Sequence, residues 1–346
     1  MLRFLTAGES HGRALLAILE GMPAGLKLDA GRINSELSRR QLGLGRGKRM
    51  QIEKDKVQII SGLKQGLTLG SPIGILIKNK DSSIERLPRI TCPRPGHADL
   101  AGLLKYGFTD VRCVLERASA RETAARVGIG AICKLFLGEF KIKITSRVLC
   151  IGGEEGLSGM KSKVDQAKDN KDTVGGIFEV KADGVPCGLG SYSQYDRRLD
   201  ARLAQAVISI PGIKALGFGL GFGYAYRFGS VCHDAIYYSK AGGYFRKTNN
   251  AGGIEGGVSN GEEILLRACM KPISTLLEPL ASVNITSKKQ GSATVERSDI
   301  CAVEAAGVVA ESMCAYVLAC AMLEKFGADA VKDIKDNYIN YLKRLR

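Results

Sequence analysis

Short apolar runs broken by glycine set the pattern of this chain. The first, "MLRFLTA", predicts a strand that ends at "GESHG", residues 8–12. Residues 32–55, "RINSELSRRQLGLGRGKRMQIEKD", begin as a polar helix and dissolve into Gly and Arg, which predicts an exposed basic loop. The branched runs "VQIISG" and "IGILIKNKD" predict two strands joined through Gly70 and Pro72. The prolines leading to "PRPGHAD" predict irregular chain. A helical period is clearest over 119–137, where Ala124, Val127, Gly128, Ala131, Ile132 and Leu135 share a face and Ser119 with Glu122 reads as a capping box.

Charged residues 153–172 predict a solvated helix, the nearest thing to a linker, with a strand after it at "GIFEVKADGV". Residues 199–210 read as a helix up to Pro211, "GIKALGFGLGFGYAY" as a strand punctured by glycine, and 249–263 as a Gly-rich loop. Strands "ILLRACMKP" and "SVNITSKKQGSATVERSD" follow, the latter a pair reversing around Gln290 and Gly291. A long helix, roughly Asp299 to Phe326, closes the core with Val303, Gly307, Ala310, Cys314, Val317 and Ala321 on one stripe. Hairpins and helices mix without regular βαβ alternation, which predicts an α+β fold.

A length of 346 residues suits one large domain or two. Fifty Lys and Arg against 35 Asp and Glu leave a formal charge of +15, a surface that attracts nucleic acid, acidic membrane or a highly charged metabolite. Ten cysteines without C-x-x-C spacing read as reduced, buried thiols of a cytoplasmic protein rather than a disulfide framework. The longest apolar run is interrupted by Glu304, Glu311 and glycines, so no membrane-spanning segment is expected, nor a leader.

Standard phosphate signatures are missing: "GFGLGFG" lacks G-x-G-x-x-G spacing and "GRGKR" lacks the upstream Gly of a Walker A loop. His11 and His97 lie in glycine-flanked turns, where an imidazole can reach a ligand, whereas His233 lies in plainer sequence. Arg40, Arg46, Arg94, Arg117, Arg121 and Arg297 stand beside Gly or Ser or at a helix start; the plain alternative is a solvated basic face. Arg121 argues against that alternative. A cation in the first turn of a capped helix is repelled by the dipole unless an anion intervenes, which points to a ligand site. Lys271, Ser274 and Thr275 of "KPIST" supply phosphate donors after a side-chain-poor loop, which could equally be mobile surface. Asp299, where a strand meets the last helix, could equally be an N-cap, as could Ser298.

Together "GESHG", "SRRQLGLGRGKRM", "RPGHAD", "ERASARETAARV", "SIPGIKAL", "NNAGGIEGGVSNGEE", "KPIST" and "RSD" resemble the chorismate synthase family, in order and through almost the whole chain. The resemblance implies a single domain over 1–346, antiparallel sheets sandwiched and enclosed by helices, and a homotetramer. It implies anti-1,4-elimination of phosphate and a C6 proton from 5-enolpyruvylshikimate 3-phosphate to give chorismate, the last step of the shikimate pathway in aromatic amino acid biosynthesis. Reduced FMN is the implied cofactor, with NADPH only as an external electron source, and no metal.

By the same resemblance, Arg40, Arg46, Arg94 and Arg121 hold the substrate. Arg117, Ala118, Ser119, Pro211, Gly212, Gly256, Lys271, Pro272, Ile273, Ser274, Thr275 and Arg297 contact the flavin. His11 gives a proton to the departing phosphate, His97 faces flavin N1 and the C2 carbonyl, and Asp299 acts with flavin N5 in removing the proton. Ser298 stands where many members have His, and Glu116, to which no role is assigned, where some have Gly. Two other readings compete: a nucleic-acid-binding protein, disfavoured by few aromatics and no recognition motif, and a phosphate-ester lyase or transferase without flavin. The expected partner is thus the small-molecule substrate, with no nucleic acid and no membrane.

Overall fold

Alternation of apolar and polar positions in Arg3–Ala7 (β1) and Ala14–Glu20 (β2) makes a hairpin whose turn is "GESHG". The computed structural model describes residues 1–47, 54–240 and 243–345. Val57–Ile59 (β3) and Ile73–Lys78 (β4) complete an antiparallel sheet in the order β1-β2-β4-β3. Its buried face carries Leu15, Ala17, Leu19, Ile73, Ile75 and Ile77. Between β3 and β4, Leu63–Lys64 and Leu67–Thr68 form a small hairpin where the sequence showed only a connection through Gly70 and Pro72.

Helix Ala30–Gln41 (α1) is started by Asp29, whose carboxylate accepts Gly31 N–H at 2.8 Å. After it the chain is not the exposed loop expected: Arg40 and Asp55 are buried and residues 43–47 are partly so. The rest of that predicted loop, residues 48–53, lies outside the described residues. Two short helices not expected from sequence follow, Asp99–Tyr106 (α2) and Arg112–Ala118 (α3). Helix Thr123–Gly138 (α4) begins later than predicted, and the capping box does not form. Ser119 Oγ instead accepts from Arg121 N over a 3-10 turn, Ala120–Glu122, and Glu122 is taken up by Thr6 and Arg126.

The second sheet contains Lys143–Ile151 (β5), Glu154–Glu155 (β6), Gly176–Asp183 (β7), Ile213–Phe218 (β8) and Ile264–Met270 (β9), in the order β8-β9-β7-β5-β6, antiparallel throughout. Helix Leu157–Asp169 (α5) buries only Val164, and the strands on either side of it, β5 and β7, pair directly. Helix Leu199–Ile208 (α6) follows, and β8 stops at Phe218 because residues 221–226 turn into a 3-10 helix. The Gly-rich stretch is not all loop, since Ile254–Glu255 pairs with Val258–Ser259. Gln290 and Gly291 lie within a returning strand, paired with Val283 and Ser282; the reversal falls at Asn284–Lys289.

Helix Val303–Phe326 (α7) starts four residues later than predicted and buries 20 of its 24 residues, all round rather than on one stripe. By length and composition it could cross a membrane, contrary to the expectation that no segment could, but it is packed inside the protein. Its central Glu311, 0% exposed, is held by Arg39, Lys134 and Ser146. α4 and α7 lie between the sheets: a Cβ on Gly128 would stand 2.7 Å from Ile75 Cδ1 of the first sheet, and one on Gly307 2.9 Å from Ser146 Oγ of the second. The rings of Phe326, Tyr338 and Tyr341 seat helix Val331–Leu345 (α8) on the end of α7.

Candidate functional site

The turn holding His11 is fastened from two sides. Asn79, just after β4, donates from Nδ2 to the carbonyls of Glu9 and Gly12 at 3.1 and 2.8 Å. On the other side, Glu116 at the end of α3 accepts Ser10 N at its carbonyl and His11 N at its carboxylate, at 2.9 and 2.8 Å. His11 Nδ1 lies 3.0 Å from both Glu116 oxygens.

Arg121 reaches Asn79 Oδ1 at 3.0 Å and Asp55 at 2.8 Å, and Arg40 reaches the same Asp55 at 2.7 Å. The anion inferred from Arg121's position near the helix start is thus, first of all, the protein's own Asp55. One carboxylate thus accepts from two guanidinium groups, each 5% exposed or less. Burial lowers Arg40's basicity, Asp55 raises it, and neighbouring Arg121 and Arg46 lower it again. An arginine cannot escape by losing its proton, and guanidinium groups buried close together make a place where an anion can bind.

Arg46 pairs with Asp299 at 2.6 Å, Gly47 N donates to the other Asp299 oxygen at 2.6 Å, and Arg46 Nη2 reaches the Arg40 carbonyl at 3.5 Å. Asp299 is therefore no N-cap; the cap position of α7 is Ala302, without a side-chain bond. On the His11 side, Glu296 accepts from Arg112 at 2.9 Å, and Arg112 also binds Glu116. Asp299, Arg46, Arg40, Asp55, Arg121 and Asn79 form one string of polar contacts, and His11, Glu116, Arg112 and Glu296 form another. Among the described residues, the Nε atoms of Arg40 and Arg46 are buried without a hydrogen-bond partner.

His97 belongs to a second group. Asp99, at the start of α2, accepts from His97 Nδ1 at 2.5 Å and from Arg94 Nε at 2.8 Å. Arg94 also donates to Thr275 Oγ1 at 2.8 Å, and Lys271 and Ser274 both donate to the Gly96 carbonyl, so "RPGH" and "KPIST" are tied together. Burial lowers the Lys271 ammonium, helped by nearby Lys214. Lys271 N donates to the Gly212 carbonyl at 2.9 Å, which brings Pro211 and Gly212 alongside, and Ile273 accepts from Thr173.

Pro211 in turn lines a cavity of about 560 Å³ with Phe4, Arg117, Ala118, Ser119, Arg126 and Met313. Its size suits a small-molecule ligand, and its lining mixes apolar side chains with Arg117, Arg126 and the Glu122 carboxylate that holds Arg126. Pro272 continues this strand end, between Lys271 and Ile273. Two candidates are not gathered in. Gly256 is exposed at the tip of the Ile254–Ser259 hairpin, and Arg297 is exposed and makes no hydrogen bond or ion pair among the described residues.

Sequence reasoning named the cations and missed their anions: Asp55, Asp99, Glu116 and Glu296. It also missed Arg112, Asn79 and Arg126. Only Asp99 had a local signal, two residues after His97 in "RPGHAD".

The chain matches the chorismate synthase family model over residues 2–323. It is 55% identical over 348 residues to the chorismate synthase of Caldanaerobacter subterraneus subsp. tengcongensis, covering 100% of this chain and 99% of that protein. With the chorismate synthase of Geobacter metallireducens the identity is 51% over 391 aligned positions, covering 100% of both. A solved structure titled "Crystal Structure of Chorismate Synthase" matches at a TM-score of 0.83 and 42% identity, over 99% of this chain and 98% of that one. Similarity of this depth runs over nearly the whole chain, and so the chain, an enzyme and a lyase of the shikimate pathway, belongs to the chorismate synthase family.

Proposed function

We propose that this enzyme removes phosphate and the C6 proton, in anti geometry, from 5-enolpyruvylshikimate 3-phosphate with reduced FMN bound beside the substrate. The observation that carries the reading is the close set of buried guanidinium groups, Arg40 and Arg121 meeting at Asp55 with Arg46 next to them: a substrate with two carboxylates and a phosphate offers the anions that such a set binds. Arg94, in the second group with Asp99 and Thr275, remains a candidate for the substrate on resemblance.

Bound reduced FMN would supply transient electron donation and take up the departing hydrogen, chemistry that no side chain here offers. The residues present fit it. Arg117, Ala118, Ser119 and Pro211 line the 560 Å³ cavity; Gly212 follows Pro211 and accepts from Lys271 N, and Lys271 to Thr275 are candidates through that link and the resemblance. His97, held by Asp99, would face the ring's N1 and C2 carbonyl. Gly256 and Arg297 remain candidates for the flavin on resemblance alone.

His11 is the proton donor to the leaving phosphate, which departs more readily when protonated. Asp299 serves the C6 proton. Both its oxygens are engaged by Arg46 and Gly47, so an anionic substrate that takes Arg46 also frees Asp299. The reading takes 1–346 as one domain of a cytoplasmic homotetramer, with NADPH, if used, only reducing flavin. The test is anaerobic phosphate release with dithionite-reduced FMN. Release that needs reduced FMN is expected; equal release without it would make the enzyme a flavin-independent lyase and overturn the reading.

A further inference from the structure

Glu116 stands outside every role considered above. It lies in the last turn of α3, 3% exposed, and its carboxylate is spent mainly on His11. Oε2 accepts His11 N–H at 2.8 Å, and both oxygens lie 3.0 Å from His11 Nδ1. Arg112, one turn earlier, donates to Oε1 at 3.2 Å and with its other amino group to Glu296 at 2.9 Å. Burial alone would raise the Glu116 carboxyl, but the bonds from His11 and Arg112 win and hold it below its ordinary value. An ionised carboxylate has no proton to give, so Nδ1 must be the donor. His11 Nε2 is left without a protein partner among the described residues, on a side chain still 16% exposed.

We propose that Glu116 is the positioning residue for His11: it keeps Nδ1 protonated and aimed at itself, so that Nε2 is the nitrogen that hands its proton to the leaving phosphate oxygen. The inference rests on reading His11 as that donor. The charged groups facing the pair are Arg112 on the same helix and Glu296 on the segment leading to Asp299. Glu116, Arg112 and Glu296 together carry one negative charge, which a protonated imidazole neutralises. After proton transfer the neutral ring still has its Nδ1–H bound to Glu116, so the residue serves both states. A mere anchor for the turn needs only the backbone N–H bond and leaves the ring's tautomer free, which separates the two roles experimentally.

Ring ¹⁵N spectra of the histidine-labelled protein, which has three histidines, supply the first measurement. At alkaline pH His11 is expected to show a pyrrole-type Nδ1 and a pyridine-type Nε2; the reverse pattern would overturn the proposal. Glu116→Gln is expected to mix the tautomers and to lower kcat about 10- to 100-fold while KM stays within about two-fold. Glu116→Asp, which keeps the charge, recovers part of the loss. In a His11→Ala background Glu116→Gln should cost nothing further, because its effect runs through the ring. Slow His11→Ala beside a parental Glu116→Gln would sink the positioning role and leave His11 standing. Parental His11→Ala would remove the proton-donor reading and this inference with it. If Glu116→Gln does not fold, the parent's spectrum and the Asp variant still decide.

Discussion

At the scale of the residue, the site is a set of cations placed by carboxylates, and Asp99 is the most economical of these. It is 1% exposed and holds Arg94 and His97 at once. Burial pushes its carboxyl up, but the bonds from His97 and Arg94 overcome that and hold it well below its ordinary value of 3.8. A carboxyl depressed on folding stabilises the protein fully above its unfolded value, and that contribution disappears as pH falls toward the folded one. Asp99→Asn leaves Arg94 buried without its countercharge and should cost about 3 kcal/mol of stability. Urea midpoints of parent and variant should differ above the ordinary carboxylate range and converge in stronger acid; a gap undiminished in strong acid would contradict the argument. The sequence showed the arginines and histidines of this site but not their partners. Arg40 and Asp55 stand 15 positions apart, Arg121 and Asp55 are separated by β3, β4, α2 and α3, and Arg46 and Asp299 by most of the chain. No local period records such pairings, because each is made only when sheet and helices have assembled.

Elements were legible where one face is buried and the other wet. The first strand, α1 and α5 read correctly because solvent enforces the alternation or the 3.6-residue period, whereas β2, which completes the first hairpin, was not predicted. The two core helices were harder. α7 is buried all round, so its predicted stripe was only part of the truth, and the capping box before α4 failed because Arg126 claimed Glu122. Glycine in a helix normally weakens it, and Gly130 shows what the weakness is exchanged for. A Cβ there would stand 2.7 Å from Ser312 O of α7 and nearer still to its Cα and Cβ, so the crossing exists only with glycine. Gly130→Ala would gain about 1 kcal/mol of helix propensity. Overpacking against backbone atoms costs about 1–3 kcal/mol and should win, since neither helix can retreat from its sheet. A lowered Tm in differential scanning calorimetry is expected, and an unchanged or raised one would show that the crossing can open.

The whole molecule presents two features that oppose each other in self-association. Its formal charge of +15 makes identical copies repel. Against that, Phe222, Tyr226, Phe228 and Tyr244 are each more than 70% exposed within one short region, where Tyr237 stacks on Phe245 and Tyr238 meets Tyr244. Large aromatic side chains clustered in solvent mark a surface that another protein covers, and the proposed homotetramer supplies copies of the same chain to cover it. The apolar term is nearly independent of salt, whereas the repulsion is screened within about 10 Å at 0.1 M ionic strength. Light scattering on the eluting protein should therefore report a tetramer at moderate salt and smaller species as salt is withdrawn, the opposite of an assembly held by ion pairs. Placing charge in the patch, as Tyr226→Asp with Phe228→Asp, removes the favourable term and should yield smaller species at every ionic strength. A tetramer untouched by the double substitution would put the interface elsewhere on the molecule, and a parent that stayed monomeric throughout would remove the tetramer itself.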